Sequence, residues 1–296
     1  MSEQAQEKKW TGTTYGNGWM HKWLIRLLRW TDVRVIYAIN AVIIVPACLL
    51  FRESRSIIYR YFRERQGYGV FKAAWKTYVN HCLFSQVVVD KFAMYAGKTF
   101  NIETEGYDHF LALAAQKEGF VQLSSHIGNY EIAGYTLVAE SKPFHALVFF
   151  GEKQSVMDNR QHMFAETNIK MIPVRDDMSH LFLINDALEN GDTVSMPADR
   201  VFGSQKTISV PFLGKQASFP LGPFSVVTMR GLDTLAVNVM KTSTKSYKIF
   251  VTPLKYDKEA PRKQQIKELA EAYVTELERI IKLYPEQWYN FFEFWK

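Results

Sequence analysis

The stretch FVQLSSHIGNYEIAGYTLVAE, residues 120–140, decides the fold of this chain. Phe120, Val121 and Leu123 form a short apolar run after a glycine, which predicts a buried strand. Apolar residues from position 132 onward partly follow helical spacing. Between strand and helix lies SSHIGN, a polar, glycine-containing corner of the kind that carries functional residues. This corner is therefore the first candidate for the functional site of the chain.

His126 and Glu131 are the candidate catalytic residues of the corner. Within one continuous helix, five residues turn about 500°, so the two side chains would point well apart. They can meet if His126 lies in the corner and Glu131 lies in the first helical turn. The carboxylate would then accept one ring N–H and leave the other nitrogen as a base. The alternative is a structural histidine beside a glutamate that stabilises a helix N-terminus.

Strands and helices alternate on both sides of this stretch. Strands are predicted at 100–105, 145–150, 170–174 and 193–196, with a late pair at 236–240 and 247–252. Helices are predicted at 71–96, 107–117, 158–167, 179–189 and 262–284. This alternation predicts an α/β fold.

The N-terminal part is both basic and apolar. Residues 1–80 hold 13 basic and 5 acidic side chains, a net charge of +8, whereas the whole chain carries +6. Residues 20–30 have the pattern of a basic amphipathic helix at a membrane interface. Residues 33–51 are just long enough to span a bilayer. Their polar interruptions and basic flanks favour an embedded or in-plane anchor, with a buried core helix as the alternative.

Composition also narrows the classes of partner and compartment. Basic charge beside aromatic residues indicates an anionic membrane surface or an acidic protein. Nucleic acid is disfavoured, because there is no zinc spacing, RNA-binding signature or basic tail. Cys48 and Cys82 form no CxxC pair, which argues for a reduced, cytoplasmic setting and against a zinc site. The first twenty residues contain no recognisable secretory signal.

Four ordered blocks carry a family resemblance: SSHIGNYE, SMPADR at 195–200, VPFLGKQASFPLGPFSVVTMRG at 210–231, and YPEQWYNFF at 284–292. Together they resemble the late acyltransferases of lipid A biosynthesis, within the lysophospholipid and glycerolipid acyltransferase superfamily. The resemblance implies a mixed central sheet flanked by helices. We expect a flexible lead-in over residues 1–18, a helical membrane-associated region over 19–98, and an α/β core over 99–296.

The resemblance also implies a reaction and its participants. An acyl chain moves from an acyl carrier protein or coenzyme A thioester to a hydroxyl of a lipid A-type precursor. The reaction takes place at the cytoplasmic face of the inner membrane and needs no metal ion or other cofactor. His126 is then the general base and Glu131 its orienting partner. Backbone N–H groups around Gly128 and Asn129, or the cation of Arg200, are candidates to stabilise the oxyanion.

Other candidate substrate-binding residues lie in and beyond the corner. Ser125 precedes His126, and Asp199–Arg200 follows a predicted strand, where α/β folds place ligand sites. A surface ion pair is the alternative for Asp199–Arg200. Arg160 and Arg175 are candidates for lipid phosphates, although such residues are often solvated surface. Residues 211–223 are expected to line an acyl groove or to form a core-packed loop.

Two departures from the family pattern bear on the acceptor. Tyr130 stands where a tryptophan is common, and residues 289–295 are aromatic and acidic where a basic cluster is usual. A less phosphorylated acceptor, such as an amino-acid lipid or a polyene-type lipid, is therefore the alternative to lipid A. A non-catalytic membrane lipid-binding protein and a thioester hydrolase are rival functions.

Overall fold

A central sheet of seven strands organises the computed structural model, which describes residues 18–50, 52–137, 139, 142–149, 157–159, 168–175, 177–201 and 206–295. The strands are β1 (Asn101–Glu105), β2 (Phe120–Gly128), β3 (Phe144–Phe149), β4 (Ile169–Val174), β5 (Thr193–Pro197), β8 (Thr234–Ser243) and β9 (Ser246–Leu254). A separate hairpin comprises β6 (Thr207–Phe212) and β7 (Lys215–Pro220).

The strand order in the sheet is β1-β9-β8-β2-β5-β3-β4. Neighbouring strands are parallel except β8 and β9, which form an antiparallel pair. Strand β2 lies in the middle and is buried along almost its whole length, as a parallel strand covered on both faces should be. The predicted α/β fold with a mixed central sheet is confirmed.

Helices flank this sheet and precede it. They are α1 (Gly18–Trp30), α2 (Val33–Ile39), α3 (Val45–Leu49), α4 (Arg52–Arg60), α5 (Val70–Tyr95), α6 (Tyr107–Ala114), α7 (Glu131–Thr136), α8 (His180–Glu189), α9 (Leu221–Met229) and α10 (Arg262–Leu283). The helices predicted at 20–30, 71–96, 107–117, 179–189 and 262–284 are confirmed, with ends that differ by a few residues. The lead-in predicted for residues 1–18 and the helix predicted at 158–167 lie mostly outside the described residues.

The N-terminal helices pack on α5 with one face and expose the other. Leu28 of α1 and Ile36 of α2 join Phe92 of α5 in a small apolar cluster. The opposite face of α1 exposes Trp23, and Trp30 at its end is 89% exposed. The amphipathic pattern predicted for residues 20–30 is therefore confirmed, whereas contact with a membrane stays a prediction.

The hydrophobic run at 33–51 is helical but not straight over residues 33–49. Its π-helical turn, Asn40–Ile44, ends two residues before Pro46, in keeping with the use of π-turns where a proline interrupts the normal ladder. Among the described residues, no single helix has both the length and the apolar character to cross a bilayer. One pair of helical segments, Val33–Leu49 and Glu53–Arg65, meets both criteria only when the two are taken together, and a 97° bend separates them.

The segment predicted as an acyl-groove lining or core-packed loop is instead a hairpin followed by α9. Phe212 and Phe219 are fully buried and pack edge to face, with ring centroids 5.6 Å apart. Leu213 and Gly214 make the two-residue turn with positive φ angles of 48° and 80°, as hairpins of this kind require. The segment belongs to the core, and the prediction of a loop was wrong.

Candidate active site

Two neighbouring strands bring His126 and Asp199 together. His126 lies near the carboxyl end of β2, and Asp199 follows the carboxyl end of β5, which pairs in parallel with β2. Between Ser124 and Gly128 the pairing of β2 with β8 shifts register, so three β2 residues lie opposite one residue of β8. Irregularities of this kind redirect side chains near active sites. His126 sits in this irregular stretch.

The contact between His126 and Asp199 involves two hydrogen bonds. Asp199 Oδ1 lies 2.7 Å from Nδ1 of the His126 ring, and Oδ2 accepts the His126 backbone N–H at 2.8 Å. The Asp199 side chain is 2% exposed and that of His126 is 18% exposed. In the described part of the chain, Nε2 makes no hydrogen bond. The carboxylate thus fixes the tautomer in which Nε2 is the unprotonated nitrogen.

Electrostatics keep both groups in the forms that a base and its partner need. Burial lowers the pKa of His126. The negative charge of Asp199 opposes this effect, and the positive charge of Arg200 adds to it. Burial tends to raise the pKa of Asp199, but the charge and hydrogen bonds of His126, with Arg200, outweigh it and lower that pKa. His126 is therefore a neutral imidazole and Asp199 a carboxylate at neutral pH.

Glu131 occupies a different position from the one that the sequence predicted. As first residue of α7, it forms an ion pair with Lys91 of α5, with Oε1 and Nζ 2.8 Å apart. The Tyr95 hydroxyl lies 3.5 Å from Oε2. In this structure Asp199, and not Glu131, lies at Nδ1 of His126. The role of Glu131 in the reaction stays a prediction.

Gly128 and Asn129 shape the corner rather than line an opening. Gly128 has φ of 54°, and a Cβ added there would lie 1.8 Å from the Val239 carbonyl oxygen, so only glycine fits. The Asn129 N–H donates to the same oxygen at 2.8 Å. Because the Asn129 N–H already donates to the backbone of β8, the prediction that it would donate to an oxyanion is corrected.

Ser125 and the Asn129 side chain are also buried. The Ser125 hydroxyl donates to Asn238 Oδ1 at 2.8 Å, and Asn129 Nδ2 lies 3.4 Å from the Tyr247 hydroxyl. Both residues are at most 3% exposed. The predicted substrate contacts of these two side chains do not fit this geometry, because they hold the corner against β8 and β9.

A segment that we call the aromatic segment, residues 288–295, completes the surroundings of His126. Trp288 forms an antiparallel bridge with Ile127, the residue after His126. The Tyr289 carbonyl accepts a hydrogen bond from Arg200 at 2.9 Å, and the Arg200 guanidinium lies 5.5 Å from the Phe292 ring centroid. The fourth block of sequence thus holds Arg200 beside the His126–Asp199 pair.

Tyr130 borders the opening beside His126. Its ring is 41% exposed and meets the His126 ring edge to face, with centroids 5.4 Å apart. The position at which the family commonly has tryptophan therefore still carries a large aromatic side chain.

The two arginines predicted to meet lipid phosphates are not part of this cluster. Arg175 is exposed and follows β4, three strands from β2, which places it about 14 Å along the sheet edge. Arg160 lies outside the described residues. Among the residues that the structure describes, no group of three His, Cys, Asp or Glu side chains has a metal-binding arrangement.

Sequence reasoning identified His126 and Asp199 separately but missed their contact. The available signal was that both residues follow buried strands, whose carboxyl ends meet at one edge of a parallel sheet. It also missed the contact between Lys91 and Glu131, because a lysine near the end of a long helix has no distinguishing sequence pattern.

Comparison with known proteins identifies the family of this chain. A family model described as bacterial lipid A biosynthesis acyltransferase matches residues 85–296. A similar solved structure is the 1-acyl-sn-glycerophosphate (LPA) acyltransferase PlsC from Thermotoga maritima, with 16% identity over 92% of this chain and 99% of that chain and a TM-score of 0.40. No curated protein sequence matches. Because the family model covers well over half of the sequence, this chain belongs to the bacterial lipid A biosynthesis acyltransferase family and is an acyltransferase.

Proposed function

We propose that this protein transfers an acyl chain from a carrier-bound thioester to a hydroxyl of a membrane lipid, with His126 as general base. The observation that carries the proposal is the buried His126–Asp199 contact, in which Nδ1 is held at 2.7 Å from a carboxylate oxygen. A neutral histidine of lowered pKa suits proton removal from an alcohol near neutral pH. Asp199 replaces Glu131 as the orienting partner in this mechanism.

The reaction then proceeds by two proton transfers through one nitrogen. Nε2 takes the hydroxyl proton while the alcohol oxygen attacks the thioester carbonyl. The carbonyl electrons move to oxygen, and Arg200, the residue after Asp199, is the cation that stabilises that charge in this proposal. When the C–S bond breaks, the imidazolium returns the proton to the departing sulfur. Proton transfer of this kind contributes roughly 10²–10⁴-fold to the rate.

The donor in this proposal is an acyl carrier protein, an acidic partner that a basic surface would attract. Arg60 and Lys76 of the basic N-terminal region pair with Glu293 and Glu286. Arg55 and Lys72 remain without a carboxylate partner among the described residues. Charge reversal at these two positions should slow the reaction with carrier-bound donor and spare the reaction with a coenzyme A donor. Equal effects on both donors would refute carrier docking there.

We also propose that the enzyme works on the cytoplasmic face of the inner membrane. The exposed face of α1 carries Trp19, Trp23 and Trp30, and basic side chains such as Arg26 accompany them. This combination of aromatic and cationic groups suits the interface of an anionic bilayer. The lipid acceptor would then reach His126 from the surface on which α1 rests.

A lipid A-type precursor is the acceptor that the family favours, and the aromatic segment favours a second candidate. Between residues 288 and 295 there is no basic side chain, and the one acid, Glu293, pairs with Arg60. A segment without basic side chains offers no cations to phosphate groups. It therefore suits an acceptor with few phosphates, such as an amino-acid lipid or a polyene-type lipid. Both candidates undergo the same chemistry at His126.

Lipid mass spectrometry tests the proposal and separates the acceptors. Three strains are compared, with the wild-type protein, with His126→Ala, and with no protein. We expect one lipid to gain an acyl mass only with the wild type, and its identity names the acceptor. A wild-type pattern from His126→Ala would refute the base assignment. No lipid change in any strain would favour a lipid-binding protein, and thioester loss without acceptor would favour hydrolysis.

A further inference from the structure

Tyr273 of α10 contacts β2 directly before the corner that carries His126. Its side chain is fully buried, and its hydroxyl donates to the Ser124 carbonyl oxygen at 2.9 Å. Ser124 lies two residues before His126 along β2. The mechanism proposed for His126 does not use this tyrosine.

The Ser124 carbonyl oxygen marks the point where β2 leaves regular pairing. Ser124 is the last residue of β2 in regular register with both of its neighbours, β5 and β8. The same oxygen accepts the Ala198 N–H at 3.0 Å, which ties it to the residue before Asp199. The next link between the two segments comes from a side chain, because Asp199 Oδ2 accepts the His126 N–H at 2.8 Å. Tyr273 thus donates to the last backbone link before the His126–Asp199 contact.

The core directs the Tyr273 hydroxyl to this oxygen. The Tyr273 ring packs edge to face against the rings of Phe219 and Phe224, with centroids 6.4 and 5.7 Å away. Both phenylalanines are fully buried. Burial raises the pKa of the Tyr273 phenol well above its ordinary value, and the negative charge of Asp199 adds to this. The phenol therefore stays protonated at neutral pH and remains a hydrogen-bond donor.

A buried tyrosine hydroxyl generally finds some acceptor, so the hydrogen bond by itself assigns no role. The choice of acceptor is what distinguishes Tyr273. Its oxygen partner already has a backbone donor in Ala198, so the tyrosine is not needed to satisfy a buried carbonyl. What the second donor adds is a fixed position for the segment ends that carry His126 and Asp199.

We propose that Tyr273 is a positioning residue, whose hydroxyl holds the ends of β2 and β5 at the spacing that brings His126 and Asp199 together. The proposal rests on His126 being the base. Displacement of a reacting group by about 1 Å can lower a rate roughly 10²-fold. Loss of one donor should cause part of such a displacement, so we expect kcat to fall roughly 10-fold.

The test variant is Tyr273→Phe, which keeps the aromatic packing and leaves Ser124 with the Ala198 N–H. It is compared with Asp199→Asn and with the double variant of both substitutions. Tyr256→Phe is the matched control, since the Tyr256 hydroxyl also donates to a backbone carbonyl, that of Leu232, at 2.9 Å. This control lies beside the start of β8, at the opposite edge of the sheet from His126.

The assay follows radiolabel from acyl carrier protein into the lipid fraction over a range of pH. The carrier is loaded with a lauroyl or palmitoyl group, whichever the wild type transfers faster. The acceptor is a detergent extract of membranes from a strain that lacks the protein. Melting temperatures are measured alongside, so that each kcat refers to folded enzyme.

The expected result for Tyr273→Phe is a kcat lowered roughly 10-fold with an unchanged KM for the donor. The charge of Asp199 raises the pKa of His126, so a looser contact should move the acidic limb of the pH–rate profile to lower pH. The double variant should be as active as Asp199→Asn, because both changes act through one contact. Tyr256→Phe should keep the wild-type kcat and pH profile.

Two outcomes would overturn the proposal. One is a folded Tyr273→Phe enzyme with the kcat and pH profile of Tyr256→Phe. The other is a double variant whose loss equals the product of the two single losses, because Tyr273 would then act independently of Asp199. His126→Ala is measured in parallel. Activity in that variant would refute the base assignment, whereas an inactive His126→Ala beside a fully active Tyr273→Phe would refute positioning alone.

Discussion

Replacing Asp199 with asparagine should abolish most of the activity while preserving the fold. Both carboxylate oxygens act as acceptors, one for the His126 ring and one for the His126 backbone N–H. Asparagine offers one acceptor and one NH₂ donor. If the NH₂ group faces the ring, it selects the tautomer with a proton on Nε2, which cannot act as a base. If the amide oxygen faces the ring, a buried backbone N–H is left unpaired.

The expected loss of activity follows from these two orientations of the asparagine amide. An unpaired buried N–H costs about 1–3 kcal/mol, which disfavours the productive tautomer by roughly 5- to 150-fold. Loss of the negative charge also destabilises the imidazolium that forms in the reaction. Together we expect kcat to fall roughly 10²–10⁴-fold, the range that general base catalysis contributes.

The pH dependence of Asp199→Asn has a defined sign. In the wild type the rate rises as pH increases through the pKa of His126, because only the neutral imidazole is a base. The charge of Asp199 raises that pKa, against the lowering effect of burial. Removing this charge lowers the pKa further, so the acidic limb of the pH–rate profile should move to lower pH, with a lower plateau.

Asp192→Asn provides the matched control. Asp192 Oδ2 lies 2.8 Å from Nε2 of His145, in a His–Asp pair of similar burial at the opposite edge of the sheet. The assay measures kcat and the melting temperature of both variants with saturating donor. If Asp199→Asn keeps activity comparable to Asp192→Asn while His126→Ala is inactive, the role of Asp199 as orienting partner is refuted.

Three further substitutions test other parts of the structure. Gly128→Ala should lower the melting temperature and the activity, because its Cβ would meet a carbonyl oxygen of β8. Gly134→Ala, in α7, has open space around the new Cβ and should raise the free energy of unfolding by roughly 0.5–1 kcal/mol. Joint replacement of Trp23 and Trp30 by serine should weaken co-sedimentation with anionic phospholipid vesicles at an unchanged melting temperature, since both side chains are at least half exposed; undiminished binding would contradict the proposed membrane face. Arg200→Met should lower kcat roughly 10²–10³-fold if the guanidinium meets the oxyanion, and a raised KM at unchanged kcat would assign it to substrate binding instead.

Local pattern predicted most of the elements around the site. Helix α10 and the strand pair β8–β9 follow from periodicity and turn residues, because their hydrophobic spacing is regular. The hairpin β6–β7 was missed because Pro211 lies within β6 and Pro220 ends β7, and prolines usually argue against a strand. These prolines are tolerated because the hairpin forms a separate two-stranded sheet.

The partner of His126 could not be read from the sequence, because it depends on strand order. Asp199 is 73 residues away along the chain and becomes a neighbour only because β5 lies beside β2. Glu131 is close in sequence, and both this proximity and the family resemblance indicated it as the partner. Its carboxylate instead meets Lys91, on a helix that precedes the sheet. Contacts between distant segments carry no signature in local spacing.

Because Trp288 pairs with the residue after His126, the active site is assembled late in synthesis. At roughly 5–20 residues per second, the ribosome needs on the order of 10–30 s to pass from one residue to the other. During this interval β2 lacks its bridge to Trp288, and Arg200 lacks the carbonyl of Tyr289. A nascent chain that has already folded β2 and β5 is thus expected to be inactive towards cellular thioesters until the aromatic segment docks.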